Sequence, residues 1–343
     1  MTQVPFSTAK LFSFILISFL FFTACENQNS QNHKRSQFLM GTLVEISVSG
    51  IDQESAYSSI QQAFQEIRRL ENLMSTHLPT SEVSRINQAA GKNFVPVSQE
   101  VLEIIQRSLF WSEQTEGAFD ITIGPAQELW DFDEPGLPSN TTIADTAKLI
   151  DYRNIQIKKN TVFLPKKGMR LHLGAIGKGY AVDRAIEILK NNKIKNALIN
   201  AGGDLITLGK RSDSLSWKIG LQHPRNPESL LASFSTSKKA IATSGDYQKY
   251  FELGGKRYHH ILDPKTGRPS NGAMSTTVIA DNVMDADALA TAIFVLGPEK
   301  GIALLDSLDN MEGLIVDIHG TVSLSKNINS IENFTLSSNN IRH

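Results

Sequence analysis

Apolar positions along the chain recur with two different periods, which predict both strands and helices. Residues 42–49 (TLVEISVS) alternate as in a half-buried strand, and residues 55–74 carry apolar side chains at helical spacing. Further helices are predicted at 101–114, 180–191 and 284–296, and further strands at 197–200, 217–221, 240–243, 276–280 and 313–317. The predicted class is therefore α+β, with mixed sheets flanked by helices. We expect one large domain, or two intimately joined lobes, over residues 37–325, followed by a frayed polar tail at 326–343.

The N-terminal segment has the pattern of an export signal. Residues 11–22 (LFSFILISFLFF) are apolar but too few to span a bilayer, which takes roughly 20 residues. Small residues precede Cys25, and this arrangement resembles a bacterial lipobox, in which the cysteine is lipidated after cleavage. We therefore expect a signal peptide at 1–24 and an exported protein whose lipidated Cys25 anchors it to a bacterial membrane, most simply on the periplasmic side. A plain secretory signal and an uncleaved anchor are the alternatives.

The residues after this cysteine are polar and rich in amide side chains. Residues 26–36 (ENQNSQNHKRS) show no apolar period. Such a composition cannot bury enough apolar surface to form a packed element. We therefore expect residues 25–36 to be a flexible tether between the lipid anchor and a domain that begins near Gln37.

Composition and charge exclude several classes of protein. The 343 residues are 41% hydrophobic, which is enough for a globular core and excludes wholesale disorder. Thirty-four Lys and Arg residues against 35 Asp and Glu residues give a formal net charge of −1, so no overall basic field favours nucleic acid. The single cysteine excludes an intramolecular disulfide and a cysteine-based zinc site. Any binding must therefore come from a local site.

A glycine-rich segment is the first candidate for such a site. Residues 171–185 (LHLGAIGKGYAVDRA) predict a buried strand that runs into the start of a helix. Backbone amides at a helix start attract phosphate, and Lys178 can add a positive charge. The segment is not a Walker loop, because His172 stands at its first glycine and Gly179 stands where Ser or Thr would bind magnesium. From this segment alone, a phosphate site and a plain glycine-rich turn remain open.

An acid and an alcohol at helical spacing form the second candidate. Within residues 285–291 (DADALAT), Asp287 and Thr291 are four positions apart, so their side chains project from one helix face. Oxygen ligands of this kind suit a hard cation such as Mg²⁺, which keeps waters and phosphate oxygens in its other positions. The pair alone is also compatible with ordinary helix capping.

Two adjacent histidines form the third candidate. They lie in residues 258–267 (YHHILDPKTG), before a turn marked by Asp263, Pro264 and Gly267. A histidine here could accept a proton from a hydroxyl nucleophile. The alternative is that one histidine is exposed and the other is satisfied by backbone groups.

Taken together and in order, these segments resemble the ApbE family, the FAD:protein FMN transferases, from about Phe38 to Gly297. The matching stretches are FLMGT at 38–42, MST followed by SEVSRIN at 74–87, GAFDITIGP at 117–125, LGAIGKGYAVD at 173–183, NAGGDL at 200–205, ATSGDY at 242–247, HILDPKTG at 260–267 and ADALATA at 286–292. The resemblance implies a transferase that uses Mg²⁺ to split the diphosphate of FAD. It would move FMN onto a Thr or Ser hydroxyl of an acceptor flavoprotein and release AMP.

The resemblance also assigns expected roles to individual residues. By the match, the metal ligands are the Asp287 carboxylate, the Thr291 hydroxyl and the backbone carbonyl of Ala175. Positions where the family contacts FAD are occupied here by Met40, Ala118, Phe119, Asp120, Lys178 and Ile261. His260 matches the histidine of the family's HIxDP turn and is the candidate for assisting the hydroxyl nucleophile. Asp287, Lys178 and His260 are thus the expected catalytic residues.

The chain departs from the family pattern at two flavin-site positions. His77 stands where the family often has a tyrosine beside the flavin, so ring stacking there would be smaller. His172 stands where the family commonly has aspartate, which changes one nucleotide contact. Neither position is among the expected metal ligands.

Three other functions remain open at this point. A hydrolase that yields FMN and AMP would use the same metal and nucleotide site. A lipoprotein that only carries flavin would bind FAD without releasing AMP. A structural or adhesive surface lipoprotein would need neither cofactor.

Overall fold

The computed structural model describes residues 1–2, 32–132 and 136–337. The predicted export signal beyond its first two residues and Cys25, the expected lipidation site, lie outside these residues. The helices are α1 (Gln53–Met74), α2 (Glu82–Gln88), α3 (Gln99–Gln114), α4 (Gly124–Leu129), α5 (Asn140–Ala147), α6 (Gly177–Asn191) and α7 (Val283–Ser307). The strands are β1 (Asn32–Leu39), β2 (Thr42–Ser49), β3 (Val95–Pro96), β4 (Gln156–Lys158), β5 (Thr161–Phe163), β6 (Asn196–Ala201), β7 (Asp204–Leu208), β8 (Trp217–Gln222), β9 (Leu230–Thr236), β10 (Ala240–Gly245), β11 (Tyr250–Leu253), β12 (Lys256–His259), β13 (Leu262–Asp263), β14 (Arg268–Pro269), β15 (Ser275–Ala280), β16 (Glu312–Val316), β17 (Val322–Leu324) and β18 (Thr335–Leu336).

An eight-stranded sheet forms the centre of the fold. Its strands follow the order β1-β2-β6-β7-β10-β15-β16-β17, and every neighbouring pair is antiparallel. Every residue of β15 is buried, since helices cover one face of the sheet and strands cover the other. β15 therefore lacks the alternation of buried and exposed residues that a half-buried strand shows.

Three helices cover one face of the sheet and enclose the main hydrophobic core. α1 packs on α6, α6 packs on α7, and α7 packs on β10, β15 and β16. The apolar positions of α1 recur at Ile60, Phe64, Ile67 and Leu70, which is the spacing of a single helix face, and each is at most 1% exposed. Sequence periodicity therefore predicted this helix within two residues.

A smaller sheet covers the opposite face. Strands β8, β9 and β18 form it, and their inward side chains pack on those of the central sheet. Trp217 and Phe234 lie on the small sheet, while Ile241 and Ile279 lie on the large one. The two inner faces thus form a second core, as in other face-to-face sheet packings.

A third apolar cluster brings two distant loops together. Trp130, after α4, donates a hydrogen bond from its indole Nε1 to the Gly267 carbonyl at 2.8 Å. Its ring stacks on Tyr258, which also stacks with Phe251. The end of α4 is therefore fixed beside β12, which ends at His259 and is followed by His260.

The mixed α and β class is confirmed, and all the predicted helices and strands outside the glycine-rich segment are present. The helix predicted at 284–296 continues as α7 to Ser307, across a kink at Gly297 (φ 76°) that is followed by Pro298. This glycine has the left-handed φ that other residues rarely adopt, so the chain can turn there and resume a helix. The strand predicted before Gly174 is absent, and only an isolated bridge between Arg170 and Ile123 is found.

Two predicted boundaries were wrong. The tether was expected to reach Ser36, but β1 begins at Asn32 and pairs along its whole length with β2. Most β1 side chains face solvent at the sheet edge, so the strand has no apolar period to detect. The tail expected to fray from residue 326 instead forms a 3₁₀ turn at Ile328–Ser330 and the strand β18, which pairs with β9. Residues 338–343 lie outside the described residues.

Helix α7 is unusually long and apolar. Within the part of the chain that the structure describes, it alone is long and apolar enough to suit a membrane span. Half of that stretch is buried inside the fold, against the central sheet. Its apolar character is thus accounted for by the core.

Candidate functional site

The glycine-rich segment is held by side chains and not by a sheet. Asn87 accepts a hydrogen bond from the Leu171 backbone N–H at 2.7 Å and donates one to the Leu171 carbonyl at 3.0 Å. The next amide, that of His172, donates to the Ile121 carbonyl at 2.8 Å. The chain then turns into α6 at Gly177 without a side-chain cap. Two of the first backbone amides have partners from elsewhere: that of Gly177 donates to the Leu173 carbonyl at 2.7 Å, and that of Gly179 donates to the Asp287 carboxylate at 3.2 Å.

The start of α7 is fixed more strongly than that of α6. Asn282 caps it by accepting from the Asp285 amide at 2.8 Å. Asp183, on α6, accepts from the amides of Val283 and Met284, both at 2.9 Å. One carboxylate thus joins the two helices, and it satisfies two of the four unpaired amides at a helix N-terminus. Burial raises the pKa of Asp183 to about 7, although these hydrogen bonds oppose the shift.

Asp285 is a structural neighbour of the candidate site. Its oxygens accept from the Arg107 guanidinium at 2.5 and 2.7 Å and from the Trp111 indole at 2.7 Å. Burial opposes ionisation, but these partners together lower the pKa of Asp285 below its usual range. Asp285, two residues before Asp287, is thus an ionised carboxylate whose oxygens both accept hydrogen bonds from the protein.

A lysine and two buried carboxylates lie at the point where α6 meets α7. Lys178 Nζ is 2.7 Å from Asp204 Oδ2 and 3.4 Å from each carboxylate oxygen of Asp287. The carboxylates of Asp204 and Asp287 are only 3% and 5% exposed. Burial disfavours the charge of Lys178, yet the two carboxylates outweigh it and raise its pKa above the ordinary value.

Asp204 was not among the predicted site residues. It follows the glycine pair of the NAGGDL segment, which was noted only as a family match. Burial and the negative charge of Asp287 raise the pKa of Asp204 to about 7, against the opposing pull of Lys178. Burial also raises the pKa of Asp287, again against Lys178. No local spacing in the sequence signals this cluster, because its members come from β7, α6 and α7.

The residues around Asp287 form a set of oxygen donors. Thr291 lies one turn along α7, and its hydroxyl is 3.2 Å from the hydroxyl of Ser244 on β10. Ala175 and Thr243 line the same cleft. The described residues contain no cluster of three or more His, Cys, Asp or Glu side chains that could hold a metal. The donors present are one carboxylate, hydroxyls and a main-chain carbonyl, which are the hard oxygen ligands that suit Mg²⁺ together with water and phosphate.

The charge of this cluster also fits a cation. With Asp204 and Asp287 ionised and Lys178 protonated, two negative charges face one positive charge, so the cluster carries a net charge of −1. A buried negative charge without a full counter-charge is costly. A bound divalent cation would remove that cost, and the residues therefore fit the metal that the sequence resemblance implies.

His260 lines the cleft, and the hydrogen bond of its ring defines its tautomer. Its Nδ1 lies 3.2 Å from the Lys249 carbonyl, and a carbonyl can only accept, so Nδ1 carries the proton and Nε2 has the free lone pair. Gln127 fixes the same residue by donating to its backbone carbonyl at 2.9 Å. Burial lowers the pKa of His260 to about 4, so its imidazole is neutral at physiological pH. The neighbouring His259 is different: its Nε2 lies 2.9 Å from the Ser270 carbonyl and it is buried.

The loop before α4 forms another wall of the cleft through Ala118, Phe119 and Asp120. Both oxygens of Asp120 are already used, since Oδ1 accepts from the Thr122 amide at 2.8 Å and Oδ2 from the Tyr152 amide at 2.8 Å. Burial raises the pKa of Asp120 despite these hydrogen bonds. The carboxylate of Asp120 therefore holds this loop in place. Asp120 also lines the cleft, where it could contact a ligand.

The two histidines that depart from the family pattern are close to each other. His172 accepts a hydrogen bond on Nδ1 from the Gly174 amide at 3.3 Å. Burial, aided by the charges of His77 and Lys178, lowers the pKa of His172 to about 4. His77 itself is exposed, and its backbone amide donates to the Ser75 hydroxyl at 3.1 Å.

Most of the sequence-predicted residues therefore line one cleft. These are Ala118, Phe119, Asp120, His172, Ala175, Lys178, His260, Ile261, Asp287 and Thr291. Met40 and His77 are not in this lining. Met40 lies in the β1–β2 turn with φ 52°, and its amide donates to the Glu71 carboxylate at 2.7 Å.

Comparisons with known proteins agree with this arrangement. The ApbE family model matches residues 40–315. The curated FAD:protein FMN transferase of Klebsiella pneumoniae is 36% identical over 296 residues, which are 84% of this chain and 90% of that protein. The one from Treponema pallidum is 30% identical over 306 residues, covering 83% of this chain and 84% of that protein.

Solved structures show the same fold. The crystal structure of the ApbE protein from Thermotoga maritima superimposes with a TM-score of 0.82 at 33% identity, covering 88% of this chain and all (100%) of that one. The flavin transferase ApbE from Vibrio cholerae gives a TM-score of 0.78 at 28% identity, with 88% and 99% coverage. The family model covers more than half of the chain, and a curated relative at 36% identity covers 84% of it, so this chain belongs to the ApbE family.

Proposed function

We propose that this protein is an FAD:protein FMN transferase, which moves FMN from FAD to a Thr or Ser hydroxyl of an acceptor flavoprotein and releases AMP. The observation that carries the proposal is the cleft that joins the oxygen donors of Asp287 and Thr291 to the ammonium of Lys178 and the neutral ring of His260. The curated relatives that match most of the chain bear this enzyme name. The proposal thus combines a family membership with a site that has the required chemistry.

Mg²⁺ is the metal we propose for this site. The Asp287 carboxylate, the Thr291 hydroxyl and the Ala175 carbonyl would hold it, and Ser244 lies beside Thr291. When bound, Mg²⁺ supplies positive charge that offsets the negative charge of a diphosphate and of the departing AMP. The limited number of protein ligands leaves positions for phosphate oxygens and water.

Lys178, in the first turn of α6, orients the diphosphate. Its ammonium is held at the cleft by Asp204 and is a hydrogen-bond donor that suits phosphate oxygens. Fixed donors of this kind stabilise charge as it develops, because they need no reorganisation during the reaction. Ala118, Phe119 and Ile261 provide the apolar walls for the rest of the nucleotide.

His260 accepts the proton of the attacking hydroxyl. Its Nδ1 is protonated and bonded to the Lys249 carbonyl, so Nε2 is the basic atom. The hydroxyl oxygen forms a bond to the FMN-side phosphorus, and the bond from that phosphorus to the bridging oxygen breaks. AMP leaves with the bridging oxygen, and the hydroxyl proton passes to Nε2. The products are a phosphoester between FMN and the acceptor side chain, AMP and one proton.

Product analysis with and without an acceptor tests this reaction. The transferase requires AMP release to depend on both a divalent cation and an acceptor protein that carries a Thr or Ser modification site. Equal AMP release without any acceptor would instead indicate a hydrolase that uses water. Tight FAD binding with no AMP release under either condition would indicate a flavin carrier.

We also propose that the protein acts outside the cytoplasm on a lipid anchor at Cys25. The support is the apolar segment at 11–22 and the small residues before the single cysteine. Residues 26–31 would lie between that anchor and β1, which begins at Asn32. Such an anchor would keep the enzyme near membrane-bound acceptors of the redox-complex type, and labelling of Cys25 by a fatty-acid analogue tests it.

A further inference from the structure

The ammonium of Lys178 is shared unequally between two buried carboxylates. It lies 2.7 Å from Asp204 Oδ2 but 3.4 Å from both oxygens of Asp287. Asp287 receives one further hydrogen bond, from the Gly179 amide at 3.2 Å. Asp204 therefore holds the close ion pair, and Asp287 has only longer contacts although it is equally buried.

The position of Asp204 is set by the backbone before it. Gly202 and Gly203 both have positive φ values, of 63° and 103°, and form the tight turn between β6 and β7. A Cβ atom on Gly202 would collide with the Thr42 hydroxyl, so the turn packs directly on β2. The Gly203 amide donates to the Asn200 side chain at 3.0 Å. Asp204 thus begins β7 from a rigid corner, with its carboxylate fixed opposite α6.

We infer that Asp204 is a positioning residue of the proposed transferase, which holds the Lys178 ammonium off Asp287 and so leaves that carboxylate available to a divalent cation. The inference rests on the proposed function, because it assigns the cation to Asp287. Of the two described carboxylates that form ion pairs with Lys178, only Asp287 remains if Asp204 loses its charge. The ammonium would then pair closely with Asp287, and an incoming cation would have to displace it.

The net charge of the cluster distinguishes this role of Asp204 from a general loss of structure in the variants. With all three groups ionised, the wild-type cluster of Asp204, Lys178 and Asp287 carries −1, and Asp204→Asn makes it neutral. Adding Lys178→Gln to that variant returns the cluster to −1 and removes the competing ammonium. Metal affinity should therefore fall in Asp204→Asn and recover in the double variant, even though the double variant carries one substitution more.

The test is Mn²⁺ binding, followed by electron paramagnetic resonance, to the FAD-free full-length protein near pH 8. We expect Asp204→Asn to bind Mn²⁺ about 10- to 100-fold more weakly than wild type, the usual effect of losing a residue behind a metal ligand. We expect Lys178→Gln to bind at least as tightly as wild type, and the double variant to bind within about threefold of it. None of these measurements requires turnover.

Asp246→Asn is the matched control. Asp246 is also a buried carboxylate, and it pairs with Arg225 at 2.6 Å and not with Lys178. Its variant should bind Mn²⁺ within about twofold of wild type, because its partners Arg225 and Arg257 belong to a separate ion-pair group and substitutions without shared partners are usually additive. Circular dichroism of each variant confirms that it is folded.

Two results would overturn the inference. One is unchanged Mn²⁺ affinity in Asp204→Asn, and the other is a double variant that binds as weakly as Asp204→Asn. A wild-type protein that binds no Mn²⁺ overturns it as well. FMN transfer by the wild type is measured alongside, so that failure of the proposed function is seen separately from failure of the role assigned to Asp204.

Discussion

The carboxylate of Asp287, on α7, accepts a hydrogen bond at 3.2 Å from the backbone amide of Gly179, on α6. A side chain at Gly179 would prevent this contact, because a Cβ atom there would collide with the Val283 carbonyl and lie 2.7 Å from Met284 Cα. The two helices can therefore approach this closely only because residue 179 is a glycine. The helix that carries Asp287 and the start of α6 are held together by this close approach.

Gly179→Ala should separate these helices and reduce both stability and transfer. The colliding atoms belong to the backbone, which yields less easily than a side chain, so we expect a loss of about 1–3 kcal/mol in the free energy of unfolding. Urea unfolding and FMN transfer measure the two effects. Gly177→Ala is the matched control, since its new Cβ would lie 3.1 Å from the flexible Met74 side chain. Equal behaviour of the two variants would contradict the close-approach argument.

Asp287→Ala should abolish transfer while the protein remains folded. Losing one positioned charge or donor of this kind costs about 2.7–4 kcal/mol of barrier, which is about 10²- to 10³-fold in rate. The assay is AMP release with FAD, Mg²⁺ and an acceptor. Wild-type rates in this variant would refute the assignment of Asp287 as a metal ligand.

His260 should remain an effective base in mildly acidic solution. Burial lowers its pKa to about 4, so the ring becomes protonated only as the pH falls towards that value. We therefore expect no loss of kcat/KM from His260 between about pH 7 and pH 5. His260→Gln should lower the rate about 10²- to 10⁴-fold. An acid limb centred near the ordinary histidine pKa, present in wild type and absent from His260→Gln, would contradict this account.

Asp183 should make the protein less stable as the pH rises from about 4 to 7. Its folded-state pKa is raised to about 7 from an ordinary value of 3.8, so the folded protein binds the extra proton in this window. The stabilisation is complete below the unfolded pKa and is lost as the pH rises through the folded one. Asp183→Asn should remove up to about 1.4 kcal/mol per pH unit of this slope.

Urea unfolding of wild type and Asp183→Asn at several pH values measures that difference. The other buried titrating groups, among them Asp204, His172 and His260, are present in both proteins and cancel in the comparison to first order. Parallel stability curves for the two proteins between pH 4 and 7 would show that Asp183 does not carry the raised pKa.

Helical and strand periodicity predicted the elements that bury one face, lined by apolar side chains, against the core. α1 and β2 were found because their apolar residues follow a single period over many positions. β1 was missed because an edge strand with exposed side chains is held by backbone pairing, which leaves no pattern in the side chains. The strand expected before Gly174 was wrong for the reverse reason: its buried residues are held by Asn87 and not by a sheet.

The same distinction applies to the site. Asp287 and Thr291 could be paired from sequence, because both lie on one helix at a spacing of four residues. Asp204 could not, since its partner Lys178 lies on a different element and their contact depends on the rigid turn at Gly202. The link from Asp183 to the start of α7 spans about a hundred residues and is likewise visible only in the folded chain.

The most direct test of the central claim is the mass of an acceptor flavoprotein after incubation with this protein, FAD and Mg²⁺. The account predicts that one acceptor gains the mass of FMN less one water, that peptide mapping places it on a Thr or Ser, and that AMP appears in equal amount. Chelation of the metal should prevent the change. An acceptor whose mass stays the same while FAD is converted to free FMN and AMP would contradict the transferase.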